Sequence, residues 1–156
     1  MNITSISEDL VPLLSFLDRQ YDSSKLLELL PSFDVVICTA PLTKNTKKMF
    51  DTRCFKKMKN GSIFINVSRG SLVVTKALAK DKLYKKFKGI GLDVVDPEPL
   101  PKKHLLRKAK NVLLTEHVAG LSDNNRKRGY ELIEKNIERY IKNKSILNLV
   151  DKSKGY

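Results

Sequence analysis

Three residues whose types suit the handling of a small carboxylic acid each fall shortly after an apolar run: Arg69, Glu98 and His117. Arg69 stands between Ser68 and Gly70. A guanidinium is a rigid fork that matches a carboxylate or phosphate, and its small neighbours leave room for a ligand to approach. His117 is one of two histidines. An imidazole gives or takes a proton near neutral pH, as the interconversion of a carbonyl and an alcohol requires. Glu98 is pinned between Pro97 and Pro99; a carboxylate beside an imidazole orients the ring and favours its protonated form. The three make an acid-plus-anchor set for a 2-keto acid. The second histidine, His104, lies among lysines and reads as surface.

The elements that must position them are four short apolar runs: Asp34 to Thr39, Ser62 to Asn66, Gly89 to Asp93 and Val112 to Thr115. Each is nearly continuous and rich in Val and Ile, the pattern of strands covered on both faces of a parallel sheet. Segments of helical character alternate with them. Leu26, Leu27, Leu29 and Leu30 precede the first, and Thr52 to Met58 runs into a stop at Asn60-Gly61. Thr75 to Phe87 ends before Gly89, and Tyr130, Ile133, Ile137, Tyr140 and Ile141 mark a long final helix. This alternation predicts an α/β fold built on a partial doubly wound, Rossmann-type sheet. In such sheets ligands bind beyond the carboxyl ends of the strands, which is where Arg69, Glu98 and His117 fall.

The bulk numbers exclude several classes. A chain of 156 residues, 41% hydrophobic and 30% charged, is one globular domain rather than a disordered tail. No apolar run is long enough to span a membrane, and the first residues do not read as a signal peptide. Cys38 and Cys54 have neither metal-site nor disulfide spacing. Cys38 reads as a small buried hydrophobe, and a reducing, cytoplasmic setting is expected. No metal is expected, because no ligand-spaced cluster appears. The net charge of +13 arises from dispersed clusters at Lys44–Lys48, Lys56–Lys59, Lys85–Lys88, Lys102–Lys110 and Arg126–Arg128. No aromatic residues interleave with them, so they read as solvated surface and not as a nucleic-acid platform.

With these residues in place, the sequence resembles the D-isomer-specific 2-hydroxyacid dehydrogenases. The matching stretches, in family order and spacing, are residues 29–36, Pro41-Leu42-Thr43, Asn66 to Gly70, Gly91 to Val94 with Glu98 to Pro101, and Thr115 to Gly120. The resemblance runs from about Asp18 to Tyr156, and the ending from Asn148 is similar to the glyoxylate/hydroxypyruvate reductase branch. It implies hydride transfer between NAD or NADP and C2 of a small 2-keto or 2-hydroxy acid. By the same resemblance Arg69 binds the substrate carboxylate, His117 is the general acid/base and Glu98 supports it. Cofactor contacts are implied at Ala40, Pro41, Val67 and Ser68, with Asp93 and Gly120 near the carboxamide.

Two departures stand out. Glu116 replaces a usual Pro, and Val95 a usual aromatic. The family's Gly-x-Gly-x-x-Gly turn and ribose-reading position would lie upstream of Asp18, and Gly89-x-Gly91 is no substitute because it enters a strand. The expected organisation is an unassigned leader at 1–17, the C-terminal half of a dinucleotide-binding domain at 18–143, and a tail at 144–156 that packs on a substrate domain. The expectation is a truncated oxidoreductase, homodimeric when complete. The alternative is a non-catalytic half-domain serving as an interaction or regulatory protein.

Overall fold

The computed structural model describes residues 1–8 and 14–153, so parts of the predicted leader and tail lie outside the described residues. The chain divides into two compact units, Met1–Thr115 and Glu116–Tyr156.

The first unit is built on four parallel strands, adjacent in chain order: β3 (Val35–Cys38), β4 (Ile63–Asn66), β5 (Gly89–Leu92) and β6 (Val112–Leu114). They coincide with the four apolar runs. Their register is regular, with Cys38 beside Asn66, Asn66 beside Leu92, and Leu92 beside Leu114. The carboxyl ends of all four strands therefore finish level, forming one edge. α1 (Leu26–Leu29) precedes β3, α2 (Thr52–Lys57) lies between β3 and β4, and α3 (Thr75–Ala79) between β4 and β5.

The helix ends are fixed by side chains. The Asp51 carboxylate caps α2 by accepting from the Arg53 and Cys54 amides at 2.8 and 3.1 Å. At the other end the Lys86 ammonium donates to the carbonyls of Phe55, Lys56 and Met58 at 3.0, 3.0 and 2.6 Å. Burial lowers the Lys86 pKa. Gly61, at φ +78°, makes the turn into β4. The predicted helix over Thr75 to Phe87 is shorter than expected: α3 stops at Ala79 and Lys80–Lys86 continue as 3-10 turns.

One face of the sheet carries the core. Val36, Cys38, Phe64, Asn66, Ile90 and Leu92 are buried there, and Phe50, Phe55, Phe64 and Phe87 pack as a chain of rings with centroids 5.0 to 6.3 Å apart. Both cysteines are buried and free. The other face corrects the expectation of cover on both sides, since Val35 is 46%, Ile37 57% and Leu113 67% exposed. A continuous apolar run says what a strand could bury, not what lies over it.

Two strands were not anticipated. β1 (Thr4–Ser7), within the span left unassigned, pairs in parallel with β2 (Arg19–Asp22) as a separate two-stranded sheet. The second unit is described by its long helix α4 (Asn125–Ile141) and the segment after it. That segment turns back on the helix, with the Leu147 amide donating to the Asn136 side chain at 2.7 Å. Tyr130, Ile133, Ile137, Tyr140 and Ile141 are all exposed.

Candidate active site

The turn after β4 is organised from within. Asn66 is fully buried at the strand end. Its side-chain amide donates to the Arg69 carbonyl at 3.1 Å, and its oxygen accepts from the Ser68 amide at 3.1 Å. The backbone from Val67 to Arg69 is thus wrapped around one buried side chain. Arg69 is exposed at the end of this loop, and its guanidinium donates to the Ser68 carbonyl at 2.9 Å. Next comes Gly70, whose backbone lies against Val95: a Cβ there would stand 1.9 Å from the Val95 carbonyl oxygen. Only glycine fits, and the reason is space rather than a positive φ.

That close approach joins the Arg69 loop to the Glu98 loop. Two hydroxyls reinforce the join, Ser71 donating to the Asp96 carboxylate at 2.8 Å and Thr75 accepting from the Asp96 amide at 3.2 Å. Glu98 is exposed and accepts from the Val95 amide at 3.3 Å. At the far end of its loop, Arg107 donates to the Leu100 carbonyl through Nη2 and Nε, at 2.5 and 3.0 Å. Arg69 and Glu98 therefore occupy adjoining, mutually braced loops at the carboxyl edge of the sheet.

The expected cofactor residues of this unit lie along the same edge. The Ser68 hydroxyl donates to the Ala40 carbonyl, tying the turn after β4 to the one after β3. Pro41 follows, its carbonyl accepting from Thr46 Oγ1 at 2.6 Å. Val67 and Leu42 are each 40% exposed here. Asp93 is buried, one carboxylate oxygen accepting from Thr115 Oγ1 at 2.5 Å. Exposed apolar side chains beside a fixed carboxylate fit the nicotinamide end of a dinucleotide, which offers a flat ring face and an amide N–H₂ donor. Gly89 and Gly91 lie within β5 and form no pyrophosphate turn.

His117 and Gly120 belong to the second unit. His117 follows the end of β6 by three residues and holds a left-handed backbone, φ 57°. Histidine is among the few non-glycine residues that visit this region, and residues held there gather at functional sites. Gly120 is exposed, and its carbonyl accepts from Asn125 at 2.9 Å. His104 is not the plain surface residue expected: half-buried, it caps the 3-10 turn Leu105–Lys108 by accepting from the Leu106 amide at 3.3 Å. Asn66, Ser71, Thr75 and Thr115 were not singled out from sequence. Asn66 alone had a signal, as the polar residue that closes a buried strand just before the Arg69 turn.

Comparison with known proteins agrees with this fold. The chain is 35% identical over 145 residues to a glyoxylate reductase of Thermofilum pendens, covering 93% of the chain and 41% of that protein. Its fold is similar to a D-isomer specific 2-hydroxyacid dehydrogenase from Xanthobacter autotrophicus, solved with NADPH, at a TM-score of 0.87 and 28% identity, covering 99% of this chain and 63% of that one. It is also similar to an NADPH-dependent glyoxylate/hydroxypyruvate reductase from Sinorhizobium meliloti, solved with NADP, at a TM-score of 0.85 and 26% identity, covering 99% and 49%. The chain thus spans less than two thirds of each of these relatives. The family model "D-isomer specific 2-hydroxyacid dehydrogenase, NAD binding domain" matches residues 5–119, so the chain belongs to that family.

Proposed function

We propose that this chain is the catalytic portion of an oxidoreductase that interconverts a small 2-keto acid and its 2-hydroxy acid with NAD or NADP, with glyoxylate and hydroxypyruvate as the substrate class. The observation that carries the reading is the bracing of the Arg69 and Glu98 loops at one sheet edge, through Gly70 against Val95 and Asp96 against Ser71 and Thr75. Such bracing holds an anchor in place before substrate arrives, which is what positioning contributes to rate.

When bound, the nicotinamide supplies or accepts the hydride. The Arg69 fork holds the substrate carboxylate and draws charge from the keto oxygen. His117 delivers the proton to that oxygen in reduction and takes it back in oxidation. Glu98 supplies the carboxylate that supports the proton donor. Ala40, Pro41, Val67, Ser68, Asp93 and Gly120 contact the nicotinamide half of the cofactor. Residues 18–143 serve as part of the dinucleotide-binding domain. The tail 144–156 packs on a substrate domain, and Leu149 and Val150 are exposed there; its last three residues lie outside the described ones. The working protein is a homodimer in the cytoplasm.

The test is NADH- and NADPH-dependent reduction of glyoxylate and hydroxypyruvate by the chain completed with a cofactor-binding and a substrate segment from a relative, as wild type, Arg69→Ala and His117→Ala. The expected result is turnover by the wild type. Arg69→Ala should lose both affinity and rate. Turnover of neither acid with either cofactor would sink the assignment.

A further inference from the structure

The lysine clusters play no part in the proposed chemistry, yet two of them meet. At the amino end of β5 and β6, opposite the Arg69 edge, lies an open cavity of ≈ 380 Å³. It is lined by Tyr84, Phe87 and Ala109 and ringed by Lys85, Lys108 and Lys110. These three ammonium groups come from segments some twenty residues apart in sequence. All three are exposed, and among the described residues none of their side chains has an ion pair or hydrogen bond. Lys86, by contrast, is spent on the carbonyls at the end of α2.

The nearby sequence is rich in lysine, with Asp81 and Asp93 bounding the first stretch. The stretch 82–92 holds Lys82, Lys85, Lys86 and Lys88, and the stretch 100–111 holds Lys102, Lys103, Arg107, Lys108 and Lys110; neither contains an Asp or Glu. The walls are also fixed to each other. The Asn111 side chain donates to the Tyr84 and Phe87 carbonyls at 2.8 and 2.9 Å, and the Ile90 amide donates to the Asn111 carbonyl at 2.8 Å. The floor is therefore rigid while the cations remain free to close on a guest.

We propose that this cavity binds a small phosphorylated molecule, its phosphates held by Lys85, Lys108 and Lys110 and its organic part resting on the half-buried Tyr84 and Ala109. Three ammonium groups around one cavity, with no carboxylate among its described lining residues, favour a multiply charged anion over a single carboxylate. The small volume and single apolar floor fit one small molecule. A nucleic-acid strand would instead need a cationic groove with a succession of stacking rings.

The test is an amide NMR titration of the ¹⁵N-labelled chain with inorganic tripolyphosphate near physiological ionic strength, where diffuse attraction is screened. Saturable shifts confined to Tyr84–Lys88 and Lys108–Asn111 are expected. The triple variant Lys85→Gln, Lys108→Gln, Lys110→Gln should weaken binding roughly tenfold or more, a loss of at least ~1.4 kcal/mol. Lys44→Gln with Lys47→Gln, in a different exposed cluster, should leave it unchanged. Thermal melts check that both variants keep the fold. Shifts spread over every lysine cluster, or unaffected by the triple substitution, would overturn the proposal. So would a single-stranded oligonucleotide that binds the same cluster more tightly than tripolyphosphate.

Discussion

Replacing Gly70 by Ala should damage the fold where the proposed site is braced. The new Cβ would stand 1.9 Å from the Val95 carbonyl oxygen, 2.2 Å from its carbon and 2.9 Å from its Cα, all backbone atoms that cannot swing aside. Real contacts of this kind essentially never fall below 3.0 Å, so the two loops must part by about an ångström. Forced overpacking costs typically ~1–3 kcal/mol, and with no flexible side chain to yield, the upper part of that range applies. Removing a glycine from the unfolded chain returns roughly 0.4–1 kcal/mol. The net is a loss of about 2 kcal/mol, or a fall in Tm of roughly 4–8 °C for a chain of this size. Gly89→Ala is the control: its nearest neighbour is Ile63 Cγ1 at 4.0 Å, and a change within about 0.5 kcal/mol is expected. The chain has no tryptophan, so urea unfolding is followed by far-ultraviolet circular dichroism. Gly70→Ala as stable as wild type would refute the close approach of the two loops.

Asn66→Ala removes both hydrogen bonds inside the Arg69 turn and should cost about 2–4 kcal/mol by urea unfolding. Lys86→Met leaves the carbonyls at the end of α2 without their donor and should cost about 1–2 kcal/mol by the same measure. Burial pushes the Cys38 thiol up to about 11 and also raises that of Cys54. A thiol reagent at mildly alkaline pH should therefore label neither cysteine in the native chain, and both in denaturant. Burial, and secondarily Arg107, hold His104 below the ordinary histidine value of 6.5. The unfolded chain then binds that proton more readily, so the stability His104 contributes is complete above 6.5 and is lost as pH falls through its lower folded value. Urea midpoints at neutral and mildly acidic pH should fall more steeply for wild type than for His104→Asn; equal slopes would contradict this.

The strands of the main sheet were legible because Val35–Cys38, Ile63–Asn66, Gly89–Leu92 and Val112–Leu114 are each apolar and end in polar turns. Their level carboxyl ends followed from a parallel sheet, and with them the shared edge of Arg69 and Glu98. β1 and β2 were not legible: Thr-Ser-Ile-Ser and Arg-Gln-Tyr-Asp have no apolar run to reveal them. The exposed face of the sheet escaped for the opposite reason, because Val35 and Ile37 look the same whether or not anything covers them. Gly70 was visible as a small residue beside Arg69, but its purpose depends on Val95, twenty-five positions on. His104 was misread because a lysine-rich neighbourhood hides an imidazole that caps a turn. Local pattern reports elements well and long-range bracing poorly, since bracing depends on which loops the fold brings side by side.

The role proposed for His117 is that of proton donor in 2-keto acid reduction. Its most direct test is the rate of NADH- or NADPH-dependent glyoxylate reduction by the completed chain, as wild type and His117→Ala, with cofactor affinity measured alongside. A loss of turnover of about 10²–10⁴-fold is expected, with cofactor affinity little changed. Near-normal turnover in His117→Ala would contradict that role.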